Sequence, residues 1–315
     1  MSIKNKNIVI TGGCGFIGSF LAERLCKENN VCVIDNLSRG KLSNIEKADC
    51  EFINIDLVEE GIPKDILEVT DIVFHLASTV GSYKYYEDNS LGVLKSNTRI
   101  DWNVFESVED SNVQKLFYAS SSHVYPSSLQ ATIDSPPLKE EQAFPTDPSL
   151  SYGWNKISSE KYLNYYRGDT RIAIGRYNGI YGPRQSPDLE RGSIIPVLIE
   201  RAKRYPLVPY KILSAGLEER SFCFIDDAID ATILMVDSLD DNKFVGPYNI
   251  GITEKISIKD LAMLIRDLMN PEMKLRIDPQ LEAKILCQWC DCSSLEKDLG
   301  WKAQIPLAEG IKKVI

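Results

Sequence analysis

The chain has 315 residues, of which 43% are hydrophobic and 26% charged, so it is an ordinary globular chain with enough apolar side chains for a large core. Its net charge of −9 argues against a general nucleic-acid binder, which needs a positive face to displace counterions from phosphates. No apolar stretch has the roughly 18 residues of a membrane span and the first residues lead straight into a strand pattern, so we expect a cytoplasmic protein with no membrane partner.

In the first half of the chain, short apolar runs alternate with amphipathic stretches. This alternation is typical of a parallel sheet covered by helices. Strands are predicted at 7–11, 30–35, 50–56, 71–77, 115–121 and 171–177, and helices at 16–28, 89–109 and 151–167. The sequence therefore predicts an α/β fold in which a Rossmann-type, doubly wound parallel sheet is formed by residues 1–177.

After about residue 178 the alternation weakens into a region rich in arginine and proline. We interpret residues 178–315 as a smaller, mixed α/β substrate-binding domain. No flexible linker separates the two domains, so we expect them to be interleaved, with some C-terminal segments returning to the Rossmann sheet.

The eight cysteines show no disulfide spacing and suit a reducing compartment. Three of them cluster in CQWCDC, as Cys287, Cys290 and Cys292. A closed zinc site needs four ligands, and no second cysteine pair or spare histidine completes this one. We therefore predict no metal site.

The stretch TGGCGFIG places Gly12, Gly15 and Gly18 between the first predicted strand and a helix. Glycines there permit a tight turn and a close approach of the backbone to a pyrophosphate, while the helix N-terminus faces the anion. Asp35 ends the next strand, where a carboxylate can bind an adenosine ribose and repel a 2′-phosphate, which favours NAD over NADP. Asp56 ends the third strand and either reaches the adenine or caps a helix. The alternative for the glycine motif is a purely structural turn.

The stretch SYGWNK supplies Tyr152 and Lys156, which share one face of a predicted helix. A free tyrosine, with a pKa near 10, is a poor base at neutral pH. A neighbouring ammonium and a positively charged nicotinamide would favour its phenolate. We therefore expect Tyr152 to take a proton from a sugar hydroxyl while hydride leaves the same carbon. The full predicted cofactor set is Gly12, Gly15, Phe16, Ile17, Gly18, Asp35, Asn36, Asp56, Leu57, Ala77, Tyr152 and Lys156.

With these motifs the chain resembles the extended short-chain dehydrogenase/reductases, and among them the NAD-dependent nucleotide-sugar epimerase/dehydratase family. TGGCGFIG, DNLSRG, HLAS, SSSHVYP, YGWNK, RYNGIYGP, RSFCFIDDAIDA, YNIG and LGW occur in the order typical of that family. The resemblance implies a catalytic set of Ser121, Tyr152 and Lys156. It also implies NAD that is held tightly and recycled in each turnover, and a homodimer formed through helices such as 89–109 and 151–167.

His123, one of only two histidines, follows the fifth predicted strand in SSSHVYP. In an extended segment Ser121, His123 and Tyr125 would point the same way, so His123 would face the substrate if Ser121 does. A histidine with a pKa near 6.5 can exchange a proton at neutral pH. Three roles stay open at this point: an acid/base at C3 or C5 of a 4-keto sugar, a substrate contact without proton transfer, and a structural residue. His75, in FHLAS, is interpreted as structural.

Positions 122 and 123 distinguish subclasses of the resembled family. The 4,6-dehydratases carry Asp-Glu where this chain has Ser122 and His123, and simple 4-epimerases usually have a small inert residue at 123. The segment GSYKYYEDNSLGVLKSNT resembles the substrate-facing segment of GDP-mannose 3,5-epimerases. Those enzymes have a cysteine in place of His123 and a lysine in place of Ile194, so this chain lacks one acid/base of their pair.

The substrate half contributes Arg184 and Arg220, whose guanidinium groups match phosphate oxygens in a bidentate fork. The resemblance favours Arg220 for a diphosphate, and Arg184 is alternatively a loop-ordering residue. Asn178 stands one position before the substrate-binding asparagine of the family, which is Gly179 here. The predicted substrate set is Gly81, Ser121, Ser122, His123, Asn178, Arg184 and Arg220, and the likeness to the mannose epimerase segment slightly favours GDP over UDP.

These observations predict an NAD-dependent nucleotide-sugar epimerase that acts through transient oxidation at C4. The inverted centre is C4 itself, if the sugar rotates before hydride returns, or C3 or C5, if His123 forms an enolate. A 4,6-dehydratase and a net 4-oxidoreductase are the enzymatic alternatives. A catalytically silent NAD-binding regulator is the alternative from another class, which the complete Ser121, Tyr152 and Lys156 set argues against.

Overall fold

The computed structural model describes residues 3–166, 168–189, 192–240, 242–279 and 285–315. In chain order its strands are β1 (Asn7–Thr11), β2 (Asn30–Asp35), β3 (Glu51–Asn54), β4 (Ile72–His75), β5 (Lys115–Ser121), β6 (Arg171–Tyr177), β7 (Ile180–Tyr181), β8 (Lys211–Ile212), β9 (Glu219–Arg220), β10 (Cys223–Phe224), β11 (Phe244–Ile250), β12 (Ile256–Ser257), β13 (Arg276–Ile277) and β14 (Cys287–Gln288). Its α-helices are α1 (Phe16–Leu25), α2 (Lys64–Glu68), α3 (Tyr83–Asp88), α4 (Ser90–Glu109), α5 (Ser151–Tyr165), α6 (Ile194–Lys203), α7 (Ile225–Asp237), α8 (Ile258–Met269), α9 (Ser293–Leu299) and α10 (Leu307–Lys312).

A seven-stranded sheet forms the centre of the molecule, in the order β11-β6-β5-β4-β1-β2-β3. Every neighbouring pair in it is parallel. The predicted Rossmann-type α/β fold is thus confirmed. The seventh strand, β11, comes from the C-terminal half and pairs with β6, with Phe244 beside Ile172 and Ile250 beside Tyr177.

Helices cover both faces of this sheet, because its strands are apolar on both sides. All seven residues of β5 are buried. One face packs against a core that includes Leu21 of α1 and Ile229 of α7. The opposite face packs against Val104 of α4 and Leu163 of α5. Helices α4 and α5 therefore lie side by side on this face of the sheet.

The rest of the C-terminal half forms small sheets and helices. Two-residue strands pair as β10-β7 and β13-β8, and β12-β9-β14 makes a three-stranded sheet. Helices α6 and α8 pack beside these sheets and contribute Leu198 and Leu261 to the same core as α1. None of the helices in the described ranges is long and apolar enough to cross a membrane. A domain boundary at residues 177 and 178 stays a prediction.

Several predicted boundaries differ from the structure. Helix α1 ends at Leu25, three residues earlier than predicted, and β3 and β4 are shorter than their apolar runs. Helix α3 was not predicted at all: it begins where Ser82 accepts a hydrogen bond from the backbone N–H of Tyr85, and it ends just before α4. Its tyrosine-rich sequence has no amphipathic period, so the capping serine was the only sequence signal for this helix.

Candidate active site

The turn between β1 and α1 has the geometry of a phosphate cradle. Gly12 has a left-handed φ of +69°, and a Cβ there would lie 2.8 Å from the backbone Cα and N of Ala77. A Cβ on Gly18 would meet the backbone oxygen of Gly12. Gly15 precedes the first turn of α1, whose free N–H groups and dipole favour an anion. Any larger residue at Gly12 or Gly18 would push the turn open, so the turn fits the pyrophosphate of a dinucleotide.

Asp35 lies at the carboxyl end of β2 and is 9% exposed. Its carboxylate accepts hydrogen bonds from the backbone N–H groups of Cys14, at 3.1 Å, and Leu37, at 2.8 Å. Burial raises the pKa of Asp35, and these two N–H groups act against that change. The carboxylate is therefore held beside the glycine turn, where each oxygen keeps a lone pair for a ribose hydroxyl.

The remaining predicted cofactor residues follow the same edge of the sheet. The side chains of Asn36 and Asp56 accept hydrogen bonds from the backbone N–H groups two residues ahead, so both brace local turns. Leu57 is buried in the core beneath them. Ala77 donates its backbone N–H to the Thr11 hydroxyl, which joins the ends of β1 and β4. Phe16 and Ile17 begin α1 and pack against the main core.

Tyr152 and Lys156 lie on α5, one turn apart and both buried. The ammonium nitrogen Nζ of Lys156 lies 5.7 Å from the centroid of the Tyr152 ring and 4.6 Å from that of Tyr118. Burial raises the pKa of Tyr152 well above its ordinary value, and the hydroxyls of Ser121 and Ser78 act in the opposite direction. The protein alone thus keeps Tyr152 as a neutral phenol, and the expectation that Lys156 and the nicotinamide charge together favour its phenolate stays a prediction.

His123 lies against two members of the predicted catalytic set, Ser121 and Tyr152. Its Nδ1 is 3.0 Å from the hydroxyl oxygen of Ser121. Its ring meets the Tyr152 ring edge-on, with centroids 5.7 Å apart. Burial, with a smaller contribution from the Arg220 charge, lowers the pKa of His123 to about 4. The imidazole is therefore neutral at pH 7 and can accept a proton.

The geometry that brings His123 to this place differs from the expectation of an extended segment. Strand β5 ends at Ser121, and residues Ser122–Val124 form a 3-10 turn in which the Ser121 hydroxyl accepts from the backbone N–H of His123. Tyr125 consequently points elsewhere, and its hydroxyl donates to the side-chain oxygen of Asn249 at 2.6 Å. The prediction that Ser121, His123 and Tyr125 share one direction was wrong for Tyr125.

Two of the predicted substrate residues frame this cluster. Ser122 is buried in the turn that carries His123. Gly81 lies directly against the ring of Tyr85 at the start of α3, and a Cβ there would be 2.6 Å from Cγ of that ring. The backbone of Gly81 also hydrogen-bonds the hydroxyl of Tyr86, which braces the start of α3.

Arg220 is at the end of β9, where Gln288 of β14 is its neighbour. Its guanidinium donates to the backbone oxygens of Glu219, at 2.7 Å, and Ile285, at 2.8 Å. It is near enough to His123 for its charge to lower the pKa of the imidazole. The structure thus groups Arg220 with the Ser121, His123 and Tyr152 cluster.

Arg184 lies in a different place. It donates to Glu23 at 2.6 Å and to Ser19 at 3.1 Å, and its guanidinium lies 4.5 Å from the Phe20 ring centroid. All three partners belong to α1. This arrangement corresponds to the loop-ordering alternative, because the ion pair with Glu23 already neutralises the charge.

Asn178 is fully buried, and its side-chain amide donates to the Ser221 hydroxyl at 2.6 Å. Its contacts therefore join β6 to the segment that leads into β10. Across the described ranges, no three side chains of the types His, Cys, Asp and Glu are arranged to hold a metal ion.

A sequence profile of the NAD dependent epimerase/dehydratase family matches residues 8–251. The chain belongs to this family. As the glycine turn and Asp35 fit a dinucleotide, NAD is its cofactor.

Individual relatives in the epimerase/dehydratase family cover nearly the whole chain. GDP-mannose 3,5-epimerase of Arabidopsis thaliana is 29% identical over 98% of this chain and 81% of its own length. A putative UDP-glucose 4-epimerase of Methanocaldococcus jannaschii is 28% identical over 98% of this chain and 97% of its own. The solved UDP-N-acetylglucosamine 4-epimerase of Methanobrevibacter ruminantium M1 superposes with a TM-score of 0.88, at 27% identity over 99% of this chain and 97% of that one. The chain is thus an enzyme of this nucleotide-sugar family.

Two residues of the site were not found from the sequence. Tyr86 of α3 lies on the Tyr152 ring, with centroids 4.9 Å apart and an interplanar angle of 14°. Asp101 of α4 is buried beneath Lys156 and hydrogen-bonds His75 at 3.0 Å. A carboxylate within a mostly apolar helix stripe was the available signal for Asp101. Nothing in the sequence distinguished Tyr86 from its tyrosine neighbours.

Proposed function

We propose that this member of the epimerase/dehydratase family is an epimerase that inverts one stereocentre of a nucleotide sugar after transient oxidation at C4. The contact of His123 with both Ser121 and Tyr152 is the observation that carries the proposal. A neutral imidazole there can take a proton from the carbon next to a C4 ketone. Positions 122 and 123 hold Ser and His in place of the Asp-Glu pair of the 4,6-dehydratases, which argues against that reaction.

In this proposal Ser121 and Tyr152 bind the C4 oxygen of the sugar. Tyr152 takes the hydroxyl proton, and Lys156 supports the phenolate with its positive charge. NAD, when bound, supplies the hydride acceptor and a further positive charge. That charge matters because burial alone keeps Tyr152 neutral.

Two inversions are compatible with these residues. In the first, His123 removes the proton at C3 or C5 to give an enolate, and a water molecule on the opposite face protonates that carbon. In the second, the sugar turns in the site and C4 itself is reduced on its opposite face, which leaves His123 as a substrate contact. We favour the first, because the His123 imidazole lies against Ser121 and Tyr152 and is unprotonated at neutral pH, the form that a base needs.

We further propose a GDP-sugar as the preferred substrate, with Arg220 bound to its diphosphate. The resemblance of residues 81–98 to the mannose 3,5-epimerases and the 29% identity to the Arabidopsis enzyme support GDP. The 28% identity to a putative UDP-glucose 4-epimerase makes a UDP-sugar the competing choice.

A homodimer through α4 and α5 is also proposed. The two helices pack side by side, and each presents a tryptophan to solvent: Trp102 is 46% and Trp154 41% exposed. Leu91 and Tyr165 on the same helices are each 63% exposed. Large apolar side chains in this density suit a buried interface. Light scattering after gel filtration tests this, and a monomer in solution would contradict it.

A heavy-water experiment tests the epimerase proposal. The NAD-loaded protein is incubated in deuterium oxide with GDP- and UDP-sugars, and the products are followed by proton NMR. We expect an epimer, with deuterium at C3 or C5 that is lost in His123→Ala. An epimer without deuterium would indicate inversion at C4. A dehydrated 4-keto sugar, or net formation of NADH, would overturn the proposal.

A further inference from the structure

Asp101 is a buried carboxylate, 2% exposed, on a helix that the expected chemistry does not use. It accepts hydrogen bonds on Oδ2 from Tyr118 at 2.7 Å, Asn155 at 3.1 Å and Ser159 at 2.6 Å. Its Oδ1 is 3.0 Å from Nε2 of His75. Burial opposes ionisation, but Lys156, His75 and Ser159 together lower the pKa of Asp101 to about 2. The site therefore contains a permanent anion.

His75 does not neutralise this anion. Burial lowers the pKa of His75, and the nearby Lys156 charge lowers it further, against the effect of Asp101. Because an ionised carboxylate only accepts, Nε2–H of a neutral His75 donates to Asp101. Its Nδ1 then accepts from the Thr11 hydroxyl at 2.7 Å. This tautomer satisfies the whole chain of hydrogen bonds without a proton on both ring nitrogens.

Two carboxylates act on the buried ammonium of Lys156, namely Asp101 and Glu160. Glu160 already has a partner, because Arg176 donates to its two oxygens at 2.9 and 2.7 Å. Neither carboxylate makes a direct ion pair with Lys156 among the described residues. Of these two carboxylates, Asp101 is thus the one whose charge is not balanced by another cation. Tyr118 contacts both groups: its hydroxyl donates to Asp101, and its ring centroid lies 4.6 Å from the Lys156 ammonium.

We propose that Asp101 is the counter-ion of Lys156, a positioning residue that keeps this ammonium in place and charged beside Tyr152. The effect of Asp101 on catalysis rests on the proposed function, whereas the pairing of its charge with Lys156 does not. Asp101 is buried among protein side chains and acts through Lys156. The other titratable groups around the pair are Glu160, whose charge is paired with Arg176, and His75, Tyr118 and Tyr152, which are neutral at pH 7.

The physical reason for a counter-ion is the burial of Lys156. Removal from water disfavours the ammonium and lowers the pKa of Lys156. The charge of Asp101 acts most strongly against this change. Without the anion, the free lysine amine forms at lower pH. It could then no longer stabilise the Tyr152 phenolate, so both the oxidation and the return step would slow.

The Asp101→Asn variant tests the proposal, since it removes the charge and keeps the shape. Lysine labelled with ¹³C at Cε allows the protonation of Lys156 to be followed by NMR, with Lys156→Arg to assign its signal. We expect the titration of Lys156 in Asp101→Asn to shift to lower pH by about one unit or more, the usual effect of a nearby charge. The alkaline limb of kcat should shift in the same direction.

Ser159→Ala is the matched control, because it removes one hydrogen bond to Asp101 and leaves the charge. Its Lys156 titration should match that of the unmodified protein. If Asp101→Asn does not fold, Asp101→Thr serves, since its hydroxyl can still accept from His75. The inference is overturned if Lys156 titrates identically with and without Asp101, or if Ser159→Ala shifts it equally. If the shift appears but no sugar nucleotide is turned over, the counter-ion stands and the proposed function fails.

Discussion

The rings of Tyr86 and Tyr152 stack almost in parallel, with centroids 4.9 Å apart. Tyr86 also meets His123 edge-on at 6.1 Å, so one ring from α3 contacts both residues that exchange protons in the proposed reaction. Burial raises the pKa of Tyr86 to about 12, so it is a neutral phenol throughout the working range. The stack fixes the plane of the Tyr152 ring and thereby the direction of its hydroxyl.

Replacing Tyr86 should therefore slow catalysis. Aromatic stacking contributes about 0.5–1.5 kcal/mol beyond simple burial, so Tyr86→Leu is expected to lower kcat by about two- to tenfold. Tyr86→Phe, which keeps the stack, should retain most of the activity. Steady-state kinetics at matched NAD content, with a thermal unfolding scan of each variant, checks this. Equal losses in both variants would contradict a role for the stacked ring.

The pH dependence of the reaction should reveal His123. Because its folded pKa is about 4 and not 6.5, the imidazole stays unprotonated, and active as a base, as pH falls through 6 and 5. Activity that depends on His123 should be lost only as pH approaches about 4. Deuterium exchange into the sugar, measured from pH 4 to 8, gives the profile. A loss centred near pH 6.5 would show that the imidazole titrates like an exposed one.

Arg220→Met should raise the pH at which His123-dependent activity is lost, because the Arg220 charge is one cause of the lowered His123 pKa. The same variant should raise KM by about tenfold or more, since a charge-assisted pair to a phosphate contributes about 1.5–3 kcal/mol. Arg184→Met is the comparison. Its charge is already paired with Glu23, so its KM should change little. An equal increase of KM in both variants would indicate that Arg184 also binds the substrate.

Adding a methyl group at two glycines should have opposite effects. Gly12→Ala places a Cβ 2.8 Å from the backbone of Ala77 at a left-handed φ, so we expect NAD binding and stability both to fall. Gly92→Ala, within α4, meets nothing within 4 Å. It should increase the free energy of unfolding by about 0.5–1 kcal/mol through helix propensity. Urea unfolding and NAD titration of both variants decide this.

Glu160→Gln should destabilise the fold strongly. It leaves the buried guanidinium of Arg176 without its charge partner, and breaking such a pair costs about 3–5 kcal/mol. Asp88→Asn breaks an exposed helical ion pair with Lys84 and should leave urea unfolding unchanged. A small loss in Glu160→Gln would mean that the carbonyl of Glu140 and the hydroxyl of Tyr125 suffice for Arg176.

The sequence predicted the central sheet well because its signals are local. Strands β1, β2, β5 and β6 have the predicted bounds, since each is centred on a short apolar run. The glycine turn and Asp35 were equally accessible, because a strand end, a turn and a helix N-terminus lie within one short stretch.

What the sequence could not predict depends on distant contacts. Asp101 bonds His75 and lies near Lys156 only because α4 and α5 pack on the same face of the sheet. Sequence periodicity does not reveal which buried polar groups face one another. Arg184 looked like a phosphate ligand by residue type, but its actual partners, Glu23 and Ser19, are more than 160 residues away in the chain. The 3-10 turn after Ser121 likewise redirected Tyr125, which strand periodicity would have placed beside His123.

The position of β11 at the edge of the sheet has a consequence for synthesis of the protein. A ribosome releases β1 to β6 long before it reaches Phe244–Ile250, the only strand that pairs with the outer edge of β6 in the described ranges. Until then a growing chain carries an open, apolar strand edge that can pair with another nascent chain. A polypeptide released after β6 and before residue 244 would therefore be prone to aggregate. Chaperone binding during translation should concentrate in the same interval.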